Sequence, residues 1–293
     1  MARVAQRLPE NAPGAFFVDD SCIDCDACRQ IAPATFVRSP GHGMSYVVAQ
    51  PATGDAEARA LMAVVACPTA SIGTSPKRPV GAAVHAFPER LEDHVWYCGW
   101  HAADSYGAAS YLIVRPRGNV LVDSPRASRP LAERIAALGG VRTMVLSHRD
   151  DIADHEWWHE RFDCARVMHA ADAGRLPIEQ RITGTDPVAL DDELTLIPVP
   201  GHTRGSVALL YREKFLFTGD HLWWSRVQGR LAAGRGVCWY SWREQAESMA
   251  RLAAYRFEWV LPGHGQRVHL AEEEARRQVA ALATRMRLRA DAA

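Results

Sequence analysis

The stretch Pro200–Ser206 reads PGHTRGS and follows an apolar run, Leu194–Val199, that predicts a β-strand. Histidine or aspartate also stands where a predicted strand stops in four other segments: 147–151 (SHRDD), 154–155 (DH), 218–220 (TGD) and 262–265 (PGHG). Imidazole and carboxylate groups on several loops at one sheet edge can hold two divalent ions and leave positions open for water. The sequence therefore predicts a catalytic metal site built at strand ends.

These segments resemble, in order and spacing, the metallo-β-lactamase superfamily, above all its glyoxalase II-like members, over residues 82–265. The resemblance implies an αββα sandwich with its metals at the sheet edges. It implies that His148 and His202 bind a first metal and that Asp220 bridges two metals. The ligands it implies for the second metal are Asp154, His155 and His264.

The first motif departs from the H-x-H-x-D-H pattern of that superfamily. Asp150 stands where the second histidine is expected, and the Asp154–His155 pair arrives two residues late. A carboxylate at this position resembles the flavodiiron branch, so Asp150 can be a hard oxygen ligand that favours iron or manganese over zinc. Alternatively, the longer motif turns Asp150 or Asp151 away and leaves one well-formed site. One or two divalent ions, zinc, iron or manganese, are therefore expected.

A second set of metal-binding residues lies near the start of the chain. Cys22, Cys25 and Cys28 have C-x2-C-x2-C spacing, and Cys67, followed by Pro68, supplies a remote fourth thiol. Over residues 14–74 this pattern resembles the single-cluster bacterial [4Fe-4S] ferredoxins. The resemblance implies one [4Fe-4S] cluster in a ferredoxin-like α+β fold and one-electron transfer at low potential. A structural zinc site and a cluster that serves only to brace the fold are the alternatives.

Two domains follow from these two patterns. The stretch Gly73–Pro79 is rich in proline, glycine and charge, as an exposed linker is. We expect a ferredoxin-like α+β domain over residues 1–78 and an αββα metallo-β-lactamase sandwich over residues 79–293. Within the second domain, Ser110–Val114 and Asn119–Val122 predict a hairpin, and the spacing of apolar residues from Trp242 to Ala253 predicts a helix.

Composition excludes several classes of function. The chain has 293 residues with 34 basic and 34 acidic side chains, so no net charge attracts nucleic acid or anionic lipid. No apolar run is long enough to cross a membrane. The start of the chain lacks the apolar stretch of a secretory signal, which predicts a cytoplasmic protein whose clustered thiols bind metal.

Three functions fit these residues. The first is hydrolysis of a small ester, thioester or lactone by hydroxide generated at the metals, with Asp220 bridging them and Asp154 orienting the nucleophile. The second is an oxidoreductase whose cluster feeds electrons to a non-haem iron pair, although the chain has no flavin-binding domain. The third is a non-catalytic redox sensor or carrier. A redox partner protein is expected where the cluster transfers electrons.

Several tryptophans lie close in sequence to the proposed ligands. They either wall an apolar pocket over the metals or pack in the core. The six are Trp157, Trp158, Trp223, Trp224, Trp239 and Trp242.

Overall fold

The computed structural model describes the backbone of residues 1–291 and the side chains of residues 1–288. The chain forms two compact units, and each unit is made of two separate ranges of the sequence. The first unit comprises Met1–Arg142 and Ala153–Asp163, and the second comprises Thr143–Ile152 and the described residues from Cys164 onward. The proposed domain boundary after Arg78 lies inside the first unit and stays a prediction.

The amino-terminal part of the first unit holds two short strand pairs and two helices. Helix α2 begins after Thr53, whose hydroxyl accepts a hydrogen bond from the Ala56 N–H, and ends before the Cys67–Pro68 step. Strand β1 pairs antiparallel with β4, and β2 with β3. The elements are β1 (Phe16–Val18), α1 (Ala27–Ile31), β2 (Phe36–Arg38), β3 (Ser45–Val47), α2 (Gly54–Ala66) and β4 (Ile72–Thr74).

The rest of the first unit contains four antiparallel strands in sequential order and three helices. The predicted hairpin is confirmed, because β7 pairs with β8 from Tyr111 opposite Val122 to Ile113 opposite Val120. The elements are α3 (Gly81–His85), β5 (Glu89–Glu92), β6 (Val95–Tyr97), β7 (Tyr111–Ile113), β8 (Val120–Val122), α4 (Arg129–Ala137) and α5 (His155–Phe162).

The second unit contains a parallel trio of strands and a six-stranded, mostly antiparallel sheet. The trio runs β9-β10-β11 and the sheet runs β12-β13-β14-β15-β18-β19, with β15 and β18 parallel. Their bounds are β9 (Thr143–Val145), β10 (Ala165–His169), α6 (Ala170–Ala173), β11 (Gln180–Ile182), β12 (Val188–Ala189), β13 (Leu194–Pro198), β14 (Val207–Tyr211), β15 (Phe215–Gly219), β16 (Trp223–Ser225), β17 (Arg230–Ala232), α7 (Trp242–Leu252), β18 (Trp259–Pro262), β19 (Val268–His269) and α8 (Glu272–Asp291).

The core of the second unit lies between the six-stranded sheet and helices α7 and α8. The predicted helix near Trp242 is confirmed as α7, whose Met249 and Leu252 are fully buried. They pack in one cluster with Val260 of β18 and Val279 of α8. Each fully buried apolar side chain contributes about 1.5–3 kcal/mol, so this face holds the sheet and its strand ends in place.

No helix of the described residues is long and apolar enough to cross a membrane.

One ion pair in the second unit gives a stability prediction. Arg166 on β10 is buried, and its guanidinium donates to both carboxylate oxygens of Glu179, at 3.0 Å to Oε2 and 2.7 Å to Oε1. These hydrogen bonds lower the pKa of Glu179 to about 2. The folded-state pKa lies below the unfolded one, so the pair stabilises the fold above pH 4.5 and loses this effect as pH falls toward 2.

We expect Glu179→Gln to cost about 1–2 kcal/mol at pH 7, a value discounted because solvent reaches the carboxylate. Urea denaturation followed by circular dichroism measures this cost. The difference between the two proteins should shrink in titrations below pH 4.5. Equal midpoints at pH 7 would show that the pair contributes nothing.

Candidate metal centre and iron–sulfur site

Four predicted ligands come from loops at strand ends of the second unit. His148 follows β9, His202 follows β13, Asp220 follows β15 and His264 follows β18. The strands that precede them are buried along nearly their whole length, so each loop starts from a fixed point.

Asp220 is the centre of this group. Its Oδ1 lies 2.8 Å from Nδ1 of His264 and accepts a hydrogen bond from the His264 backbone N–H at 3.1 Å. Its Oδ2 lies 3.7 Å from Nε2 of His148 and 3.7 Å from Nε2 of His202. One carboxylate thus faces three imidazoles.

Two further carboxylates approach the same histidines. Oδ2 of Asp150 lies 3.2 Å from Nε2 of His202 and 3.9 Å from Nε2 of His148. Oδ2 of Asp151 also lies 3.9 Å from Nε2 of His148, and the Asp151 side chain is buried. Two groups of donors therefore have metal-binding geometry: His148, Asp150 and His202, and His148, Asp151 and Asp220. The altered first motif keeps both aspartates beside His148.

The protonation states suit a cation. Burial lowers the pKa of His148 to about 4, so its imidazole is neutral at pH 7 and can act as a ligand. Burial works to raise the pKa of Asp220, but His264, His148 and His202 lower it further, and the carboxylate is ionised. A hydrogen bond with His202 lowers the pKa of Asp150.

His148 provides the test of whether these residues fit a metal. Its Nε2 is buried and has no hydrogen-bond partner in the described part of the chain. Oxygens of three aspartates lie 3.7–3.9 Å from this atom, too far to hydrogen-bond with it. Buried carboxylates beside a buried acceptor nitrogen are unfavourable unless a cation lies among them. The donor set therefore fits a divalent ion.

The structure places Asp154 and His155 differently from the other predicted ligands. Both belong to the first unit, and neither is in the metal-binding groups found among the described residues. Asp154 is exposed at the start of α5 with left-handed backbone, φ +56°, and its Oδ2 accepts a hydrogen bond from the Ala127 N–H at 2.8 Å. His155 is buried at 5% exposure.

Sequence reasoning missed one buried histidine near the site. His221 is fully buried, and neither of its ring nitrogens has a hydrogen-bond partner in the described residues. Burial, and then the charge of His202, lower its pKa to about 3. Its backbone oxygen accepts a hydrogen bond from the Gln245 amide at 2.9 Å. The feature of the sequence that could have identified His221 was its position directly after Asp220.

The first unit brings its four predicted cysteine ligands around one cavity. Cys22, Cys25, Cys28 and Cys67 all line it. Backbone N–H groups point at two of the sulfurs, from Ser45 to Cys22 Sγ at 3.4 Å and from Ser71 to Cys67 Sγ at 3.3 Å.

The electrostatics of this cavity fit a metal cluster. Burial raises the pKa of the Cys25 thiol to about 12 and raises that of Cys28 well above its usual value. Such thiols become thiolates when a metal takes their protons' place. The buried guanidinium of Arg29 lies next to Cys28 in sequence and donates to Asp24 and to Ser45 Oγ, each at 2.7 Å.

Residues beyond the expected linker pack against the segment that carries these cysteines. A Cβ atom at Gly107, whose φ is +82°, would lie 2.5 Å from Cβ of Cys25 and 2.9 Å from its sulfur. The N–H of His101 donates to the Ala66 oxygen at 3.2 Å. The Arg126 guanidinium donates to the Val65 oxygen at 3.0 Å. The cysteine segment is thus packed against chain that follows residue 100.

Gly107→Ala tests this packing. We expect the variant to purify with less than half the iron per chain of the native protein, because its methyl group displaces Cys25. Iron and sulfide analysis and the visible absorbance measure the loss. The matched control is Gly184→Ala, since Gly184 has a φ of +81° and open space around its Cβ position. An iron content in Gly107→Ala as high as that in Gly184→Ala would show that the added methyl group does not displace Cys25.

Comparison with protein families finds a match in the amino-terminal part of the chain. Residues 18–74 match the family described as the 4Fe-4S single cluster domain of Ferredoxin I. This match implies an iron–sulfur cluster in the amino-terminal part of the chain.

Curated relatives match somewhat less than half of the chain. A hydroxyacylglutathione hydrolase from Rhodospirillum rubrum is 34% identical over 142 residues, which cover 46% of this chain and 55% of that protein. A protein of the same name from Anaeromyxobacter dehalogenans is 37% identical over 130 residues, 43% of this chain and 49% of that one. The chain therefore spans about half the length of these relatives.

Solved structures identify the fold. The crystal structure of DIM-1 metallo-β-lactamase aligns with a TM-score of 0.50 at 17% identity, covering 67% of this chain and 96% of that chain. The crystal structure of VMB-1 aligns with a TM-score of 0.52 at 16% identity, covering 67% and 95%. The chain has a metallo-β-lactamase-like fold.

Proposed function

We propose that this protein, which joins a single-cluster 4Fe-4S segment to a metallo-β-lactamase-like fold, is a metal-dependent hydrolase of esters, thioesters or lactones. The observation that carries the proposal is the carboxylate of Asp220, which faces three imidazoles from three strand ends. The name of the curated relatives, hydroxyacylglutathione hydrolase, supports an acyl-group substrate.

The ligand assignment follows the contacts. We assign the binding of the metal to the residues grouped around Asp220. Asp154 and His155 stay predictions because both belong to the first unit and neither is in the donor groups found among the described residues. A divalent ion bound there supplies a Lewis acid that polarises a carbonyl and lowers the pKa of water. The assigned residues are His148, Asp150, Asp151, His202, Asp220 and His264.

The chain's own groups then have distinct tasks. Asp220 orients His264, whose Nδ1 lies 2.8 Å from Oδ1, and faces His148 and His202 with Oδ2 at 3.7 Å from each Nε2. Asp150 is ionised and 39% exposed, so it can accept a proton from an incoming water at the solvent edge of the site. The water oxygen bonds to the acyl carbon, the carbon–oxygen or carbon–sulfur bond breaks, and the leaving alcohol or thiol takes the proton.

Asp220→Asn tests the hydrolase proposal. We expect the amide to lower metal affinity and the hydrolysis of chromogenic esters and thioesters by about a hundredfold or more, because it removes the charge shared by three histidines. Elemental analysis and initial rates measure both effects. Asp186→Asn, an exposed carboxylate, is the control and should change neither. A native protein that holds metal and cleaves no acyl substrate would contradict the proposal.

The carboxylate at position 150 bears on the choice of metal. We propose that iron or manganese is preferred, because Asp150, Asp151 and Asp220 supply hard oxygen donors beside the imidazoles. Asp150→His supplies the softer donor, and we expect the zinc share of bound metal to rise several-fold when the protein is loaded from an equal mixture of zinc, iron and manganese. An unchanged metal ratio would show that Asp150 does not select the ion.

The same proposal covers the amino-terminal segment. Residues 1–78 would form a ferredoxin-like α+β domain that holds one [4Fe-4S] cluster on Cys22, Cys25, Cys28 and Cys67, and residues 79–293 would form the hydrolase domain. The buried thiols around one cavity support this assignment.

An oxidoreductase is the second candidate. The packing of later residues against the cysteine segment favours it. Gly107 and Arg126 belong to the later part of the chain and contact the segment that holds Cys25 and Val65. An electron leaving the cluster would therefore enter that part of the chain directly. Iron analysis with electron paramagnetic resonance during anaerobic reduction separates the candidates. Non-cluster irons reduced through the cluster support this function, whereas full hydrolytic activity with zinc supports the first.

A further inference from the structure

One stretch of the second unit exposes an unusual amount of apolar surface. Between Trp223 and Tyr240, four large apolar side chains are exposed, with Trp239 at 59% and Val227 at 98%. The other two are Val237 and Tyr240. We call residues 223–240 the aromatic rim.

Both ends of the aromatic rim are fixed to loops that carry proposed ligands. The Trp239 N–H donates to the His202 oxygen at 2.8 Å, and the two ring centroids are 6.2 Å apart. At the other end, a Cβ at Gly265 would lie 2.5 Å from Cγ of Trp223, so that indole packs directly beside the loop of His264. The rim therefore borders the metal centre on the His202 side and the His264 side.

The charge of the rim differs from that of the metal centre. Residues 221–240 contain three arginines and no aspartate or glutamate. The arginines are Arg226, Arg230 and Arg235. Exposed aromatic rings with cations and no anions suit a ligand that is apolar and negatively charged.

We propose that the aromatic rim binds the acyl group of the substrate, and that this substrate carries a medium-length apolar acyl chain together with an anionic group. This inference rests on the proposed hydrolase function and specifies its substrate class. An acyl chain lying on Trp239 would place its carbonyl end beside His202, where the donors converge. The bound acyl chain would also exclude water from one side of the metal centre.

Binding of a product-like ligand tests the rim without requiring turnover. Titration calorimetry of the metal-loaded full chain compares octanoate, acetate and octyltrimethylammonium. We expect octanoate to bind about 60-fold more tightly than acetate, because burying three methylenes gains roughly fourfold each. We expect the octyl cation to bind more weakly than octanoate.

Variants at Trp239 locate the site. We expect Trp239→Ala to weaken octanoate binding about tenfold and to leave acetate binding unchanged, with Trp239→Phe restoring most of the loss. Leu288→Ala removes an equally exposed apolar side chain from α8 and is the control, which should change neither ligand. Activity on octanoyl and acetyl esters should follow the same order.

The outcomes separate this inference from the hydrolase proposal. Octanoate binding that depends on Trp239 without any ester hydrolysis keeps the acyl site and rejects the hydrolase. Hydrolysis with equal affinity for octanoate and acetate, or with no effect of Trp239→Ala, rejects the acyl site. Tight binding of the octyl cation rejects the anionic requirement. A protein that sediments as a dimer in the native form and as a monomer in Trp239→Ala shows that the rim binds a second copy, which overturns the proposal.

Discussion

The structure of the second unit depends on holding several carboxylates close together where little solvent reaches them. Asp220 and Asp151 are largely buried, and Asp150 lies against His202, so three carboxylates surround a few imidazoles. Charges of one sign repel strongly where the dielectric constant is low. The fold opposes that repulsion with the apolar layer between sheet and helices, where Met249 and Val260 are fully buried. A core of this kind fixes β13, β15 and β18 closely enough to hold charges that would otherwise separate.

The order of apolar runs and polar residues placed His148, His202, Asp220 and His264 after strands, and the structure brings these four side chains close together, while their role as metal ligands stays a prediction. The hairpin at β7 and β8 and the helix α7 were correct, since each has a clear local period or turn. The first motif could not be resolved in this way. Whether Asp150 and Asp151 face His148 depends on the path of a loop, and a loop's path is set by contacts distant in sequence.

The tryptophans show the same limit. Trp158 is completely buried, and its indole N–H donates to the Pro125 oxygen at 2.7 Å, whereas Trp239 is mostly exposed. Both stand near proposed ligands in sequence, and nothing in their neighbours distinguishes a core tryptophan from a surface one. The close approach of Gly107 to Cys25 could not be predicted either. The two residues are 82 positions apart, and Cys25 belongs to a segment recognised by its own pattern. Packing between residues far apart in the chain produces no periodic pattern in the sequence.

The contacts of Gly107 and Arg126 have a consequence for biosynthesis. Cys22, Cys25 and Cys28 are synthesised before the residues that pack against the cysteine segment, which extend along the chain as far as Arg126. Protein domains generally fold in the order in which they emerge during translation. The thiols therefore stay open to iron donors, and to oxidants, until the chain has been synthesised as far as Arg126. A cluster is therefore most easily inserted before the later loops pack against the cysteine segment.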